Sequence, residues 1–300
     1  MDIARYHVIH ETRYDYESPV SLSRQLLHLT PRACPWQRSI AHEIVIAPTP
    51  GVDRVRVDSF GNPVRQFAIE APHGSLLVRA ESRIEVRSRR LDATAFAAPE
   101  WESVRDRLAY GVLPVELEAS IYLFESPYTR VKREFAAYAA PSFTPGRPLL
   151  DAVRDLMQRV FRDFRYDAGA TTVATPVLTV LEQRRGVCQD FAHLMISCLR
   201  SLGLSARYVS GYLLTRPPPG KPRLVGADAS HAWLSVFCPD VSGGIWVDFD
   251  PTNNVLPDRE HITVAWGRDF GDVSPLRGVI LGGDAHQPEV AVTVLPYEEE

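Results

Sequence analysis

The feature that most constrains this chain is a cysteine at the start of an amphipathic helix. Apolar residues recur at intervals of three and four through residues 188–202, which predicts a helix with one face in a core. Gly186 precedes this helix and Gly203 ends it, and residues 206–214 are rich in the tyrosine, valine and leucine typical of a strand. The pattern predicts a helix packed against a sheet, with the Cys188 thiol in the first helical turn.

A thiol in that position is a candidate nucleophile. A helix N-terminus carries about half a positive charge and unpaired N–H groups, which favour a thiolate and can hold an oxyanion. Most free cysteines, however, are small buried hydrophobic residues. The choice between the two interpretations depends on whether a base lies further along the chain.

Two later segments supply a base and a group to orient it. Residues 230–238 alternate as in a strand, with His231 and Trp233 on one face, and residues 246–250 form a return strand that carries Asp248 and Asp250. A hairpin of these strands brings an aspartate to His231, whose other ring nitrogen would then face Cys188. Periodicity alone does not separate the two aspartates.

Three motifs carry a resemblance to a known family. GVCQDFAHLMISCLRSLGLSARYVSGY, DASHAWLSVF and WVDFDPTNN resemble the motifs of the transglutaminase-like core, which belongs to the papain-like cysteine-enzyme superfamily. The first and last segments also resemble bacterial members with an N-terminal β region. The resemblance implies that Cys188 is the nucleophile, His231 the base and Asp250 the third member of a catalytic triad.

The group that would stabilise the oxyanion departs from the family pattern. Animal transglutaminases use a tryptophan upstream of the nucleophile, but no tryptophan lies between Trp101 and Trp233 here. The candidates are the side chains of Tyr166 and Gln189 and the backbone N–H of Cys188. Each remains a hypothesis.

Candidate groove residues lie near the predicted base. Trp233 and Asp248 are candidates for lining a substrate groove, although core packing alone also explains the tryptophan. The proline-rich segment of residues 215–228 connects two predicted strands and is expected to shape the groove.

The expected fold class is α+β. Short strand-like segments separated by proline, glycine and asparagine predict an antiparallel β-sandwich-like domain over residues 1–95. A helical, proline-punctuated connector is expected over residues 96–146. The transglutaminase-like catalytic core is expected over residues 147–300, with its nucleophile helix against an antiparallel sheet and a C-terminal strand over residues 290–295.

Composition narrows the possible partners. The net charge of −4 gives no reason to expect nucleic acid or a membrane surface as partner, and no apolar run has the length of a membrane span. The N-terminal segment has no apolar signal region, and the four cysteines form no C-x-x-C pair. We therefore expect a cytoplasmic protein, and the resemblance to the transglutaminase-like core implies a protein or peptide substrate.

No cofactor is expected. Cys188, His231 and Asp250 are metal-ligand types, but their spacing supplies no fourth ligand. No acidic loop of the EF-hand type is present, so calcium dependence is not expected either.

The expected function is cysteine-dependent acyl transfer or hydrolysis at a peptide, isopeptide or glutamine amide, through a thioester. The same triad serves cross-linking, deamidation and proteolysis, so the sequence does not decide among them. The alternative is a catalytically inactive relative that binds a peptide or serves as a scaffold. The intact set of three residues argues against that alternative.

Overall fold

The computed structural model describes residues 3–89, 98–110, 113–215, 230–240, 243–284 and 287–298. The predicted groove segment therefore lies outside the described residues except for Thr215. The described helices are α1 (Trp101–Tyr110), α2 (Pro114–Ser120), α3 (Arg133–Ala139), α4 (Leu149–Asp163), α5 (Val177–Gln183), α6 (Cys188–Ser201) and α7 (Phe270–Val273). The strands are β1 (Ile3–Leu27), β2 (Gln37–Ala47), β3 (Val52–Val57), β4 (Pro63–Ile69), β5 (His73–Arg87), β6 (Arg165–Tyr166), β7 (Arg185–Gly186), β8 (Ala206–Leu213), β9 (Ser230–Cys238), β10 (Ile245–Phe249), β11 (His261–Gly267), β12 (Leu276–Gly282) and β13 (Glu289–Pro296).

The first β unit is a seven-stranded antiparallel sheet built around the 25-residue strand β1. The N-terminal half of β1 pairs with β5 and β13, and its C-terminal half pairs with β4 and β12. The pairing with β5 shifts register between Asp15 and Val20. Apolar side chains from β1, β2, β4 and β5 share one core, so the sheet folds over on itself in the sandwich-like manner that the sequence predicts.

The last two strands return to this first sheet. Leu276 of β12 pairs with Leu27, and Val294 of β13 pairs with Val8. The sequence pattern predicts a strand over residues 290–295 but places it with the catalytic core, and it does not predict β12. Alternating apolar residues indicate a strand, but they do not identify a pairing partner that is distant in the chain.

Helix α6 lies at the centre of the second half of the molecule. It contacts α3 and α5 as well as β8 and β9. Its polar side is therefore buried too: Ser197 Oγ accepts the N–H of Arg130 at 3.2 Å, and His193 Nε2 accepts the N–H of Phe270 at 3.1 Å. Polar side chains tolerate this burial because each is paired with a backbone donor.

The second sheet has four antiparallel strands in the order β10-β9-β8-β11. It places His231 near the start of β9, Asp250 directly after β10, and His261 at the start of β11. Gly211 of β8 lies opposite His231, and a Cβ atom there would come within 2.5 Å of the Trp233 ring.

None of the helices in the described part of the chain is long and apolar enough to cross a bilayer.

Candidate active site

Cys188 is the first residue of α6, as the helical pattern predicts. The Asp190 carboxylate accepts the N–H of Val187 at 2.8 Å and the hydroxyl of Thr171 at 2.6 Å, which fixes the start of the helix. A Cβ at Gly186 would lie 2.6 Å from Asp190 Oδ2, so the turn before the helix requires glycine. The Cys188 thiol is free and half-buried.

His231 joins the thiol to a carboxylate. Its Nε2 lies 2.8 Å from Asp250 Oδ2, and the Cys188 thiol lies near enough to its side chain to raise the pKa of His231. Because Nε2 is engaged by Asp250, Nδ1 is the ring nitrogen left for the thiol. Burial lowers the pKa of His231, but the hydrogen bond with Asp250 and the interaction with Cys188 outweigh it and raise this pKa to about 10.

Asp250 accepts hydrogen bonds on both carboxylate oxygens. Oδ2 receives Nε2 of His231 at 2.8 Å, Nε2 of His261 at 3.1 Å and Nδ2 of Asn253 at 2.7 Å. Oδ1 receives the backbone N–H groups of Thr252 at 3.0 Å and Asn253 at 3.3 Å. Burial alone would raise the pKa of this carboxyl, but the bonds from the two histidines lower it, so Asp250 is ionised at neutral pH.

Two members of this network were not predicted from the sequence. Asn253 follows Asp250 in the same turn, so the DPTNN segment itself held a signal for it. His261 has no such local signal, because it reaches Asp250 only through the folding of the second sheet.

Asp248 serves a separate network. Its carboxylate accepts Arg89 Nη1 at 2.6 Å, Trp233 Nε1 at 3.2 Å and the Ser235 hydroxyl. Trp233 is fully buried and packs edge-on against the His261 ring, with centroids 5.3 Å apart. Both groove candidates are therefore buried, with Trp233 packed beside the two histidines, and a role in lining a groove remains a prediction.

The oxyanion candidates lie at the same end of α6. Tyr166 pairs in parallel with Gly186 and is 56% exposed. Partial burial and the charge of the Cys188 thiolate both raise the pKa of Tyr166, so its phenol is within electrostatic reach of the sulfur. Gln189 is half-buried, and no side-chain hydrogen bond of it is found within the described ranges. Tyr208, not singled out from the sequence, is buried and also has its pKa raised by burial and by Cys188.

The other three thiols have different surroundings. All four cysteines are free, and Cys198 and Cys238 are buried in the core as the sequence pattern predicts. Burial raises the pKa of Cys34 to about 11 and that of Cys238 to about 12, which disfavours their thiolates.

One group of side chains has metal-ligand chemistry. Donor atoms of His231, Asp250 and His261 lie within 4.8 Å of one another. This set differs from the one considered from the sequence, because His261 takes the place of Cys188. Both imidazoles point Nε2 at the same carboxylate oxygen, so hydrogen bonds account for their convergence without a metal.

Comparison with known proteins identifies the family of the chain. Residues 6–85 match the model of the bacterial transglutaminase-like N-terminal region, and residues 136–251 match that of the transglutaminase-like superfamily. An uncharacterized protein of Mycobacterium tuberculosis is 43% identical over 298 residues, covering 98% of this chain and 93% of that protein. Protein-glutamine gamma-glutamyltransferase of Pseudomonas aeruginosa is 30% identical over 112 residues, or 35% of this chain and 16% of that protein.

A solved structure shares the overall fold. A candidate cysteine protease from Cytophaga hutchinsonii superposes with a TM-score of 0.77 at 16% identity, covering 100% of this chain and 93% of that one. At this identity the likeness concerns the fold alone. The two family matches and the nearly full-length relative together lead to one conclusion: this chain belongs to the bacterial transglutaminase-like family.

Proposed function

We propose that the protein is a cysteine-dependent hydrolase or acyltransferase that acts on a peptide, isopeptide or glutamine amide through a thioester on Cys188. The observation that carries this proposal is the position of His231, whose side chain is hydrogen-bonded to Asp250 and lies near enough to Cys188 for the thiol to raise its pKa. A nucleophile, a base and a group that orients the base are the parts this chemistry requires.

In the first step the thiol proton is held by His231 and the Cys188 sulfur attacks the carbonyl carbon of the amide. The tetrahedral oxyanion is held by N–H groups at the start of α6, assisted by Tyr166 or Gln189. His231 then donates its proton to the leaving nitrogen, and the C–N bond breaks to leave a thioester and an amine. Asp250 remains ionised and stabilises the imidazolium throughout.

In the second step the acceptor determines the product. Water gives a carboxylic acid, which is deamidation or proteolysis according to the amide attacked, whereas a lysine or small amine gives a new amide. In both cases His231 removes a proton from the acceptor and the Cys188 thiol is released. We place hydrolysis first, because water needs no dedicated acceptor site.

Cross-linking is the second candidate. The similarity to the Pseudomonas aeruginosa protein-glutamine gamma-glutamyltransferase supports it, since that relative is named for acyl transfer from glutamine. The substrate in either case is a protein or peptide, and no cofactor is needed. The four free thiols are consistent with a reducing compartment such as the cytoplasm.

The test is mass spectrometry of a glutamine-containing casein after incubation with the protein, with and without a fluorescent primary amine. Amine incorporation that requires Cys188 would establish acyl transfer to amines. Conversion of glutamine to glutamate would establish deamidation, and new peptide termini would establish proteolysis. The Cys188→Ala variant is the control for each product.

A second measurement addresses the inactive alternative. Iodoacetamide should alkylate Cys188 faster than Cys34 near neutral pH, and His231→Ala should slow the alkylation of Cys188. If His231→Ala leaves the rate unchanged and casein is not modified, the chain is a peptide-binding or scaffold protein and the proposal fails.

A further inference from the structure

A second histidine is bonded to the carboxylate that orients His231. His261 Nε2 lies 3.1 Å from Asp250 Oδ2, and the residue is only 4% exposed. Its other nitrogen, Nδ1, is buried and has no hydrogen-bond partner in the described part of the chain. The ring is therefore attached to the site through one polar contact only.

The surroundings of His261 determine its charge and its tautomer. Three charged or titratable groups face it: Asp250 after β10, His231 of β9, and Arg89 of the segment after β5, which donates to the His261 carbonyl at 2.8 Å. A second imidazolium would be repelled by the two cations, and burial also lowers the pKa of His261. Since Asp250 is an ionised acceptor, the neutral ring must carry its proton on Nε2.

The plane of the ring is fixed by packing. Trp233 is fully buried, contacts the His261 ring edge-on at a centroid distance of 5.3 Å and lies 6.0 Å from the His231 ring. The indole nitrogen of Trp233 is held in turn by Asp248 at 3.2 Å. His261 consequently has little freedom to turn its Nε2–H away from the carboxylate.

We propose that His261 is a positioning residue of the active site: a neutral imidazole that donates its Nε2–H to Asp250 Oδ2 and holds the carboxylate against His231. This inference rests on the proposed function, because positioning matters only if His231 and Cys188 act as a pair. Without the donor from His261, Asp250 keeps its charge but loses one of the three bonds that fix Oδ2.

The experiment measures the rate at which iodoacetamide alkylates Cys188 as a function of pH, together with turnover of casein. The His261→Leu variant removes the donor, and His261→Gln restores an N–H at about the same reach. His10→Leu is the matched control, because His10 is 1% exposed and bonded to Tyr212 rather than to Asp250. Melting temperature is recorded for every variant.

We expect His261→Leu to lower kcat about 100-fold with little change in KM, since small displacements of reacting groups cost about this much. The pH profile of Cys188 alkylation should shift, because the imidazolium that favours the thiolate is lost at a lower pH than in the wild type. His261→Gln should restore most of both quantities. His10→Leu should lower the melting temperature without moving the alkylation profile.

Two outcomes would overturn the inference: an unchanged pH profile in His261→Leu, or equal defects in the Leu and Gln variants. If His261→Leu does not fold, His261→Asn takes its place, because asparagine is too short to reach Oδ2. Failure of the proposed function has a different signature, since wild type and His231→Ala would then be alkylated alike at every pH.

Discussion

The guanidinium of Arg89 lies 2.6 Å from the carboxylate of Asp248, with side chains only 7% and 4% exposed. Arg89 lies just beyond Arg87, the last residue of β5 in the first sheet, whereas Asp248 belongs to β10 of the second sheet. Arg89 also donates to the carbonyl of His261 at the start of β11. The segment after β5 thus contacts both edge strands, β10 and β11, of the sheet that carries His231.

Arg89→Met should lower the free energy of unfolding by about 3–5 kcal/mol, because it leaves the buried Asp248 carboxylate without its cation. The double variant Arg89→Met with Asp248→Asn should be less destabilised than the sum of the single variants. Denaturant unfolding measures both. Arg13→Met, which removes an exposed ion pair with Asp15, should change stability little. If the loss of unfolding free energy in the double variant equals the sum of the two single losses, Arg89 and Asp248 are not energetically coupled.

Tyr166→Phe should lower kcat about 100-fold if the phenol donates to the oxyanion, as loss of one such donor costs in other enzymes. KM should change little, because the bond forms with the transition state. Steady-state kinetics on the casein substrate measures both constants. The matched control is Tyr110→Phe, since Tyr110 is 85% exposed on α1. Full activity in Tyr166→Phe would transfer the role to Gln189 or to the backbone.

Asp250→Asn should move the pH dependence of Cys188 alkylation. Burial lowers the pKa of His231, but Asp250 and Cys188 together raise it to about 10, so the imidazolium and the stability it contributes persist at neutral pH and are lost as pH rises through that value. Without the carboxylate charge, we expect this loss to begin nearer the ordinary histidine pKa of 6.5. Turnover should fall by about 1,000-fold or more. An alkylation profile identical to wild type would show that Asp250 does not act on His231.

Acid should destabilise the protein through its buried histidines. Burial lowers the pKa of His10 to about 4 and that of His193 to about 3, whereas both titrate near 6.5 in the unfolded chain. The unfolded state therefore binds more protons across this interval, and the free energy of unfolding falls as pH decreases from about 6.5. Urea unfolding at several pH values should show a weaker pH dependence in His10→Gln. An equal slope in that variant would contradict the assignment.

Chelation should not affect activity. The donor atoms of His231, Asp250 and His261 are within 4.8 Å, but Asp250 Oδ2 already accepts an N–H from each ring. Dialysis against EDTA should leave casein modification and Cys188 alkylation unchanged. Loss of activity that zinc restores would show instead that the cluster is a metal site.

Local sequence determined the individual elements of the site. Helical periodicity and a preceding glycine predicted α6 with Cys188 at its first residue, and strand alternation placed His231 on a strand beside one that was predicted to include Asp250. The observed strand β10 ends at Phe249, one residue before Asp250. Periodicity left Asp248 and Asp250 equivalent, and only the family resemblance separated them. The structure gives the physical difference: Asp248 is neutralised by Arg89, whereas Asp250 faces His231.

Tertiary structure decided what depends on contacts between distant segments. The pairing of β12 and β13 with β1, the bond from His261 to Asp250, and the bond from Arg89 to Asp248 join residues far apart in the chain. Preferences for helix or strand depend on a residue's side chain and on its neighbours within a few positions. Local sequence therefore predicts the individual elements. Which buried donor meets which acceptor is fixed only when the sheets close and every desolvated polar group must find a partner.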